Sequence, residues 1–360
     1  MGSTLQTGRS ATGGLTVSRG PKALDLPVPL RFVHMERLGW REAVAAEHFD
    51  ELMQADPAAR TAFALGGDLL WTVQTWCRLR GAGYGGIELA ARPAPGRINL
   101  AKSKVWSRLG RRRDCFAVSI QADYPRIAWA QFHLQQNRDL VGRNGAYQSL
   151  WPQAAILPRD PARRAVRRVG FLGKAGGNLA LGEAEWTRLL ATHGLEFVAR
   201  PPERWHDFSD IDIALGIRDF SRRPHSSKPP NKLLNAWLAG VPFVGGTDSA
   251  FHQVGTPGVD YLRAASVDEA VAALIHLRDG ADLRDRMVAA GRRQVAGFTG
   301  DAIIREWVAN CEGPIARRYR EWAANRGREA VRGHLTGAAQ AALDSAKSVA
   351  RTLLRRGYEE

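Results

Sequence analysis

Twice along the chain, short apolar runs alternate with glycine-rich turns and helix-patterned segments, and this alternation limits the possible folds more than any other feature. Residues 31–38 (RFVHMERL) have the length and apolar content of a strand, and residues 40–53 then read as a helix. Residues 68–80 place Leu69, Leu70, Val73, Trp76, Cys77 and Leu79 on one helical face, and Gly81, Gly83, Gly85 and Gly86 stop that helix ahead of a short strand at 87–91. The pattern restarts at 168–172, a strand followed by the glycine loop 173–178 (GKAGGN), a helix at 183–193 and a strand at 195–199. A buried strand at 211–217 (IDIALGI), a helix at 232–239 closed by Gly240 and a strand at 241–244 complete the second set. Alternating strands and helices with short links predict an α/β fold of doubly wound parallel sheets, here as two Rossmann-like halves.

The length of 360 residues supports two such halves, since domains run to roughly 100–200 residues. The stretch WPQAAILPRDPARRAVRR, with three prolines and little apolar periodicity, suits a linker. The expected organisation is a flexible leader at 1–26, domains at 27–160 and 161–312, and an amphipathic helical extension at 313–360. Within that extension, Val331, Leu335, Ala339, Ala342, Leu343, Ala346, Ala350, Leu353 and Leu354 recur near helical spacing, and Arg332, Lys347, Arg351, Arg355 and Arg356 accompany them. No apolar run approaches the roughly 18–20 residues of a membrane span, and the first 26 residues lack a secretory apolar stretch. Three unpaired cysteines, Cys77, Cys115 and Cys311, suggest neither a disulfide framework nor a zinc site. A cytoplasmic protein is expected.

The net charge of +15 would attract nucleic acid, an anionic membrane or phosphorylated small molecules. Only seven of the 51 basic residues are lysines, however, and Lys174, Lys228 and Lys232 fall in or beside the two most motif-like stretches. One is the glycine loop, with Gly173, Lys174 and Gly176, placed at the carboxyl edge where α/β sheets bind ligands. The other is residues 225–246, HSSKPPNKLLNAWLAGVPFVGG. There Ser226 or Ser227 can cap a helix whose first turn accommodates Pro229 and Pro230, with Lys228 and Lys232 four apart on one face. Free amides and two ammonium groups at a helix start suit a diphosphate. The same residues also suit an ordinary capped helix with solvated lysines, and the glycine loop an ordinary connection.

Taken in order, VGFLGKAGGN, DIDIALGIR, KPPNKLLNAWLAGVPFVGG, SAF, VDYL, SVDEAVAALIHLRD and DLRDRMVAAGRRQVAGFT resemble the carboxyl-terminal domain of GT-B glycosyltransferases, over about residues 168–298. The resemblance implies two facing Rossmann-like domains. It also implies transfer of a sugar from a nucleotide-diphosphate donor to a glycan or lipid-linked acceptor. The donor diphosphate is expected near Gly173, Lys174, Gly176, Lys228 and Lys232, with Arg218 as a further charge partner and Trp205, His206 and Asp207 toward the base or ribose. Retaining members often carry two glutamates separated by seven residues. Here those positions are Ser227 and Asn235, and Asn235 could hydrogen-bond a ribose or sugar hydroxyl.

In the first half, residues 119–139 (SIQADYPRIAWAQFHLQQNRD) supply Asp123 and His133 as candidate catalytic bases, with Asn137 as a polar neighbour. No metal-ligand spacing appears, so the expectation is metal-independent transfer with no cofactor beyond the sugar-nucleotide co-substrate. Two other readings remain at this point. One is a non-catalytic GT-B-like protein that binds a glycan or a partner. The other is nucleic-acid binding, disfavoured because the basic runs are short and carry no interleaved aromatics. The basic tail over residues 328–360 also suits peripheral contact with an anionic membrane, or packing on the body or on a second subunit.

Overall fold

The computed structural model describes residues 15–35 and 40–356. In the first half, β-branched, aromatic and leucine-rich runs form β1 (Thr16–Val17), β2 (Leu30–Val33), β3 (Glu88–Ala90), β4 (Ile98–Lys102), β5 (Phe116–Ile120), β6 (Phe132–Gln135) and β7 (Gly145–Tyr147). They pair in the order β1-β3-β2-β4-β5-β6-β7, parallel throughout except for β1. The second half contributes β8 (Arg168–Leu172), β9 (Glu196–Arg200), β10 (Ile213–Gly216), β11 (Phe243–Gly245) and β12 (Leu262–Arg263). These form a wholly parallel sheet ordered β12-β11-β10-β8-β9. The strand order reverses between β8 and β10, so the ligand crevice of a doubly wound sheet opens beyond their carboxyl ends.

Several expected elements shift. The span expected as one helix over 40–53 is two, Trp40–Ala45 and Phe49–Ala55, because His48 adopts an extended conformation. The helix expected over 68–80 breaks at Thr72, whose hydroxyl donates back to the Asp68 carbonyl at 2.6 Å and meets His34 Nδ1 at 3.1 Å. Residues 15–26 are not a free leader. Thr16 and Val17 pair with β3, and Leu24 and Leu26 pack on the first core. Residues 1–14 and 36–38 lie outside the described residues.

The expected domain boundary at 312 falls inside a helical run that leaves the second domain and returns to the first. Helix Gly300–Asn310, a π-turn at Cys311–Ile315 around Pro314 and helix Ala316–Ala324 follow one another. Their Ile303, Trp307, Ile315, Tyr319 and Trp322 belong to the core of the first sheet. Trp307 meets Phe32 and Trp71 edge-on at 5.9 and 6.3 Å, and Tyr319 meets Phe116 at 5.2 Å. Each buried aromatic removes well over 100 Å² from water, so this crossover fastens the two domains covalently and by packing. The linker is held as firmly. Ser149 donates its amide and hydroxyl to Glu306, and Asp212, fully buried, accepts from Arg159, Arg163 and the amides of Arg167 and Arg168.

Candidate active site between the two sheets

The carboxyl edges of the two sheets meet. Just beyond β6, Gln136 donates to the Ser227 carbonyl at 2.6 Å, and the Asn137 amide donates to Ser249 Oγ at 2.9 Å. Gln253 donates to Asn137 Oδ1 at 2.6 Å from the helix Ser249–Val254. The cleft therefore lies where both sheets present strand ends.

Lys232 sits at the centre of the second domain's edge. It is the second residue of the helix Asn231–Ala239, and its stem threads between the ends of β8 and β10. A Cβ on Gly173 would lie 3.2 Å from Lys232 Cε, and one on Gly216 3.3 Å from its Cδ. A side chain at either position would crowd the stem, and at Gly216 it would first strike the Phe243 ring. The ammonium lies 5.0 Å from the centroid of the Phe171 ring and forms no ion pair among the described residues. Burial, then the nearby Arg218, pulls its pKa from the usual lysine range to about 7, while Asp248 works in the opposite direction. A desolvated cation without a counter-ion at a topological switch point is a ready receptor for an anion. Beside it, Arg218 donates through Nε to Asp248 at 2.6 Å and also bonds Asn178 of the glycine loop. Asp248 is 1% exposed and leaves Oδ1 without a partner.

From the first domain, Asp123 faces this edge. It follows Ala122, whose φ of 42° puts a side-chain-bearing residue in the left-handed region, where it costs roughly 1–3 kcal/mol. The Asp123 carboxylate lies 3.7 Å from Lys102 at the end of β4 and 3.7 Å from Lys228 across the cleft, and Lys102 also pairs with Asp68 at 3.3 Å. An acid–base chain, Asp68, Lys102, Asp123, Lys228, thus spans the domains. The arrangement pairs an anion-binding lobe with a carboxylate on the facing lobe, the elements needed to bind a leaving group and deprotonate a nucleophile.

Residues 144–309 match a family model described as glycosyl transferase-like. No curated protein matches the sequence. Among solved structures, HepE of Anabaena in complex with UDP and glucose is similar at 8% identity, covering 79% of this chain and 100% of that one with a TM-score of 0.45. TarM of S. aureus is similar at 6% identity over 71% of this chain, with a TM-score of 0.45, and this chain spans 58% of TarM's length. The lipopolysaccharide outer core galactosyltransferase WaaB is similar at 14% identity, covering 59% of this chain and 74% of its own, with a TM-score of 0.38.

Within the matched region, the helix expected to start at Ser226 or Ser227 begins instead at Asn231, with Pro230 at its cap and no side-chain cap. A residue preceding proline is kept from the helical region, which bars Lys228 and Pro229 from the first turn. Lys228 lies in the preceding turn and reaches Asp123, so it does not share a helical face with Lys232. Lys174 and Gly176 are exposed on the glycine loop, and Gly173 touches the Lys232 stem. Ser227 contributes its carbonyl to the domain contact. Asn235 is 7% exposed and its Oδ1 accepts from the Gln153 amide at 3.1 Å. It fastens the linker rather than facing a sugar. Trp205 donates to the Arg200 carbonyl, Asp207 accepts from Arg204, and the turn Pro202–Arg204 packs against the first-domain helix Pro57–Leu65. That surface is covered by protein.

His133 is not brought to the cleft. It is 1% exposed in the middle of β6, its Nε2 accepts from Arg126 Nε at 3.3 Å, and burial followed by Arg126 drives its pKa to about 3. A neutral imidazole committed to a guanidinium is a poor base. Sequence reasoning missed Lys102, Asp68, Asp248 and Gln136. Lys102, Gln136 and Asp248 share one signal, a position at or just beyond a parallel strand's carboxyl end, as in INLAK for Lys102 and FVGGTD for Asp248, whereas Asp68 lies in the helix Gly67–Trp71 and carries none.

Proposed function

We propose that the protein transfers a glycosyl group from a nucleoside-diphosphate sugar to a hydroxyl of a glycan or lipid-linked acceptor. The observation that carries this reading is the unpaired Lys232 ammonium between Gly173 and Gly216 at the switch point of the second sheet. The diphosphate lies against Lys232, the amides of the glycine loop and the outer face of Arg218, with Lys228 able to turn from Asp123 toward it. The acceptor hydroxyl attacks the anomeric carbon as the bond from that carbon to the diphosphate oxygen breaks. The electron pair leaves on the diphosphate, and Asp123 takes the hydroxyl proton. Cationic side chains and loop amides stabilise the developing charge without a metal.

The test is calorimetry against a panel of nucleoside diphosphates, followed by diphosphate-release assays with the matching sugar donors in EDTA. Binding lost in Lys232→Ala, with turnover unaffected by EDTA, is expected. Absence of binding across the panel refutes the reading, and turnover restored only by a divalent ion refutes the metal-independent step. Ser227 and Asn235, where carboxylates stand in many retaining relatives, favour a second reading as a non-catalytic glycan-binding protein. Nucleotide binding without donor turnover would select it.

A further inference from the structure

The terminal helix Arg326–Arg356 is docked on the wrong face for an ordinary amphipathic helix. The residues turned to the body are polar or small. Glu329 pairs with Arg318 at 2.6 Å, Gly333 lies under the Arg111 guanidinium, and Gln340 exchanges hydrogen bonds with the Ala128 amide and the Arg126 carbonyl. Opposite them, Val331, Leu335, Ala338, Ala342 and Ala346 fall on one line at steps of three and four. Val331 and Leu335 are 61% and 64% exposed, as is Leu343 beside them at 61%. Of the expected tail residues, the side chains of Lys347, Ala350, Arg351, Leu353, Leu354, Arg355 and Arg356 lie outside the described residues.

Two surface features adjoin this line and share Arg328 and Arg332. One is the open, shallow face of the helix itself, formed by Val331 and Leu335 with Arg328 and Arg332 beside them. The other, a groove of about 470 Å³, is lined by Arg143, Arg317, Arg318, Arg328 and Arg332 together with Glu321 and Glu329. Arg143, Arg317 and Arg328 are exposed and form no ion pair among the described residues. Glu329, by contrast, is turned inward to Arg318. A second copy laid on this face would set arginines against arginines on a chain already at +15. An apolar strip bordered by exposed arginines, of which only Arg332 has a carboxylate partner, Glu329 at 4.0 Å, matches the acyl and phosphate levels of an anionic bilayer.

We propose that the outward face of this helix rests on an anionic lipid surface, with lipid phosphates in the arginine groove and acyl chains against Val331 and Leu335. This does not rest on the catalytic reading. The experiment is flotation of the full chain with vesicles of phosphatidylcholine alone or mixed with phosphatidylglycerol, together with sedimentation equilibrium in the absence of lipid. Flotation only with the mixed vesicles, lowered by salt, is expected. Val331→Asp with Leu335→Asp, and separately Arg328→Glu with Arg332→Glu, should each weaken it about tenfold or more. These side chains are exposed, so the thermal midpoint stays unchanged and reports intact folding. Equal flotation with neutral vesicles, none with either, or variants that bind as the parent does overturn the proposal. So does a dimer dispersed by the Leu335→Asp change.

Discussion

Lys232→Met separates the energetic burden of the proposed anion site from its use. The ammonium's pKa is lowered from 10.5 to about 7 in the fold. Each unit corresponds to about 1.4 kcal/mol, so the charged lysine destabilises the fold by about 5 kcal/mol at pH 6. A base whose folded pKa is depressed imposes this burden in full below the folded value and sheds it as pH rises toward the unfolded value, because the unfolded chain holds the extra proton in between. At pH 9.5 the burden is about 1 kcal/mol. Methionine keeps the length of the stem between Gly173 and Gly216 and has no charge to desolvate. The variant should therefore be more stable than the parent, by several kcal/mol at pH 6 and by little at pH 9.5, in urea unfolding followed by tryptophan fluorescence. It should also bind nucleoside diphosphate about 10- to 100-fold more weakly, the value of a lost charge-assisted hydrogen bond. A stability difference that does not shrink as pH rises, or a variant less stable than the parent at pH 6, would refute the claim that Lys232 is desolvated and unpaired.

The same ammonium predicts proton uptake on binding. At pH 8 it is mostly neutral in the free protein and a diphosphate restores its charge, so calorimetric enthalpies in buffers of different ionisation enthalpy should give a slope near one proton, absent in Lys232→Met. A zero slope in the parent at pH 8 rejects the placement. Asp123→Asn should lower turnover about 10²- to 10⁴-fold while donor affinity changes by less than about threefold. An equal loss of affinity would make Asp123 a structural partner of Lys102 and Lys228 rather than a base. Asp212→Ala leaves Arg159 and Arg163 facing a void beside two amides and should destabilise the fold by about 3–5 kcal/mol, seen as a lowered urea midpoint. Because the Asp212 pKa is held below its usual value by Arg163 and the Arg167 and Arg168 amides, against the opposing effect of burial, its contribution is present above the ordinary aspartate pKa and fades only as pH falls through the depressed one.

How much of this could be read from the sequence depended on the range of the forces involved. The strand at 168–172 was placed to the residue, and the turn at Gly240 closes the helix Asn231–Ala239 with φ of 67°, because apolar runs and glycine stops are local signals. The position of the glycine loop at a carboxyl edge follows from the same alternation, while its place at the switch point depends on the strand order. Proline acts in two opposed ways here. A first helical turn tolerates Pro229 and Pro230, but their effect on the preceding residue pushes Lys228 out of the helix and across to Asp123. That displacement makes Lys228 a link between domains instead of a second phosphate ligand on one helical face.

The misplacements of His133, Asn235 and the domain boundary share a different cause. Each depends on a partner far along the chain. Arg126 sits on a loop that folds over β6, Gln153 on the linker, and Ile303 to Trp322 on helices that return to the first core. Hydrophobic periodicity reveals that a helix has an apolar side, but which sheet receives it is settled by what remains uncovered. The helices after Gly300 covered the first sheet because Phe32, Trp71 and Phe116 offered a bare aromatic surface there. The terminal helix shows the converse. Its apolar line was legible as a repeat, yet only the structure reveals that Gly333 and Gln340 dock it and the line faces outward. A pattern in sequence therefore identified the surfaces of this protein better than it identified what those surfaces meet. Lys232, Lys228 and Asp123 stand out in the sequence as scarce lysines at a helix start and a carboxylate after a strand, whereas the glycines that flank the Lys232 stem come from two separate strands and meet it only in the fold.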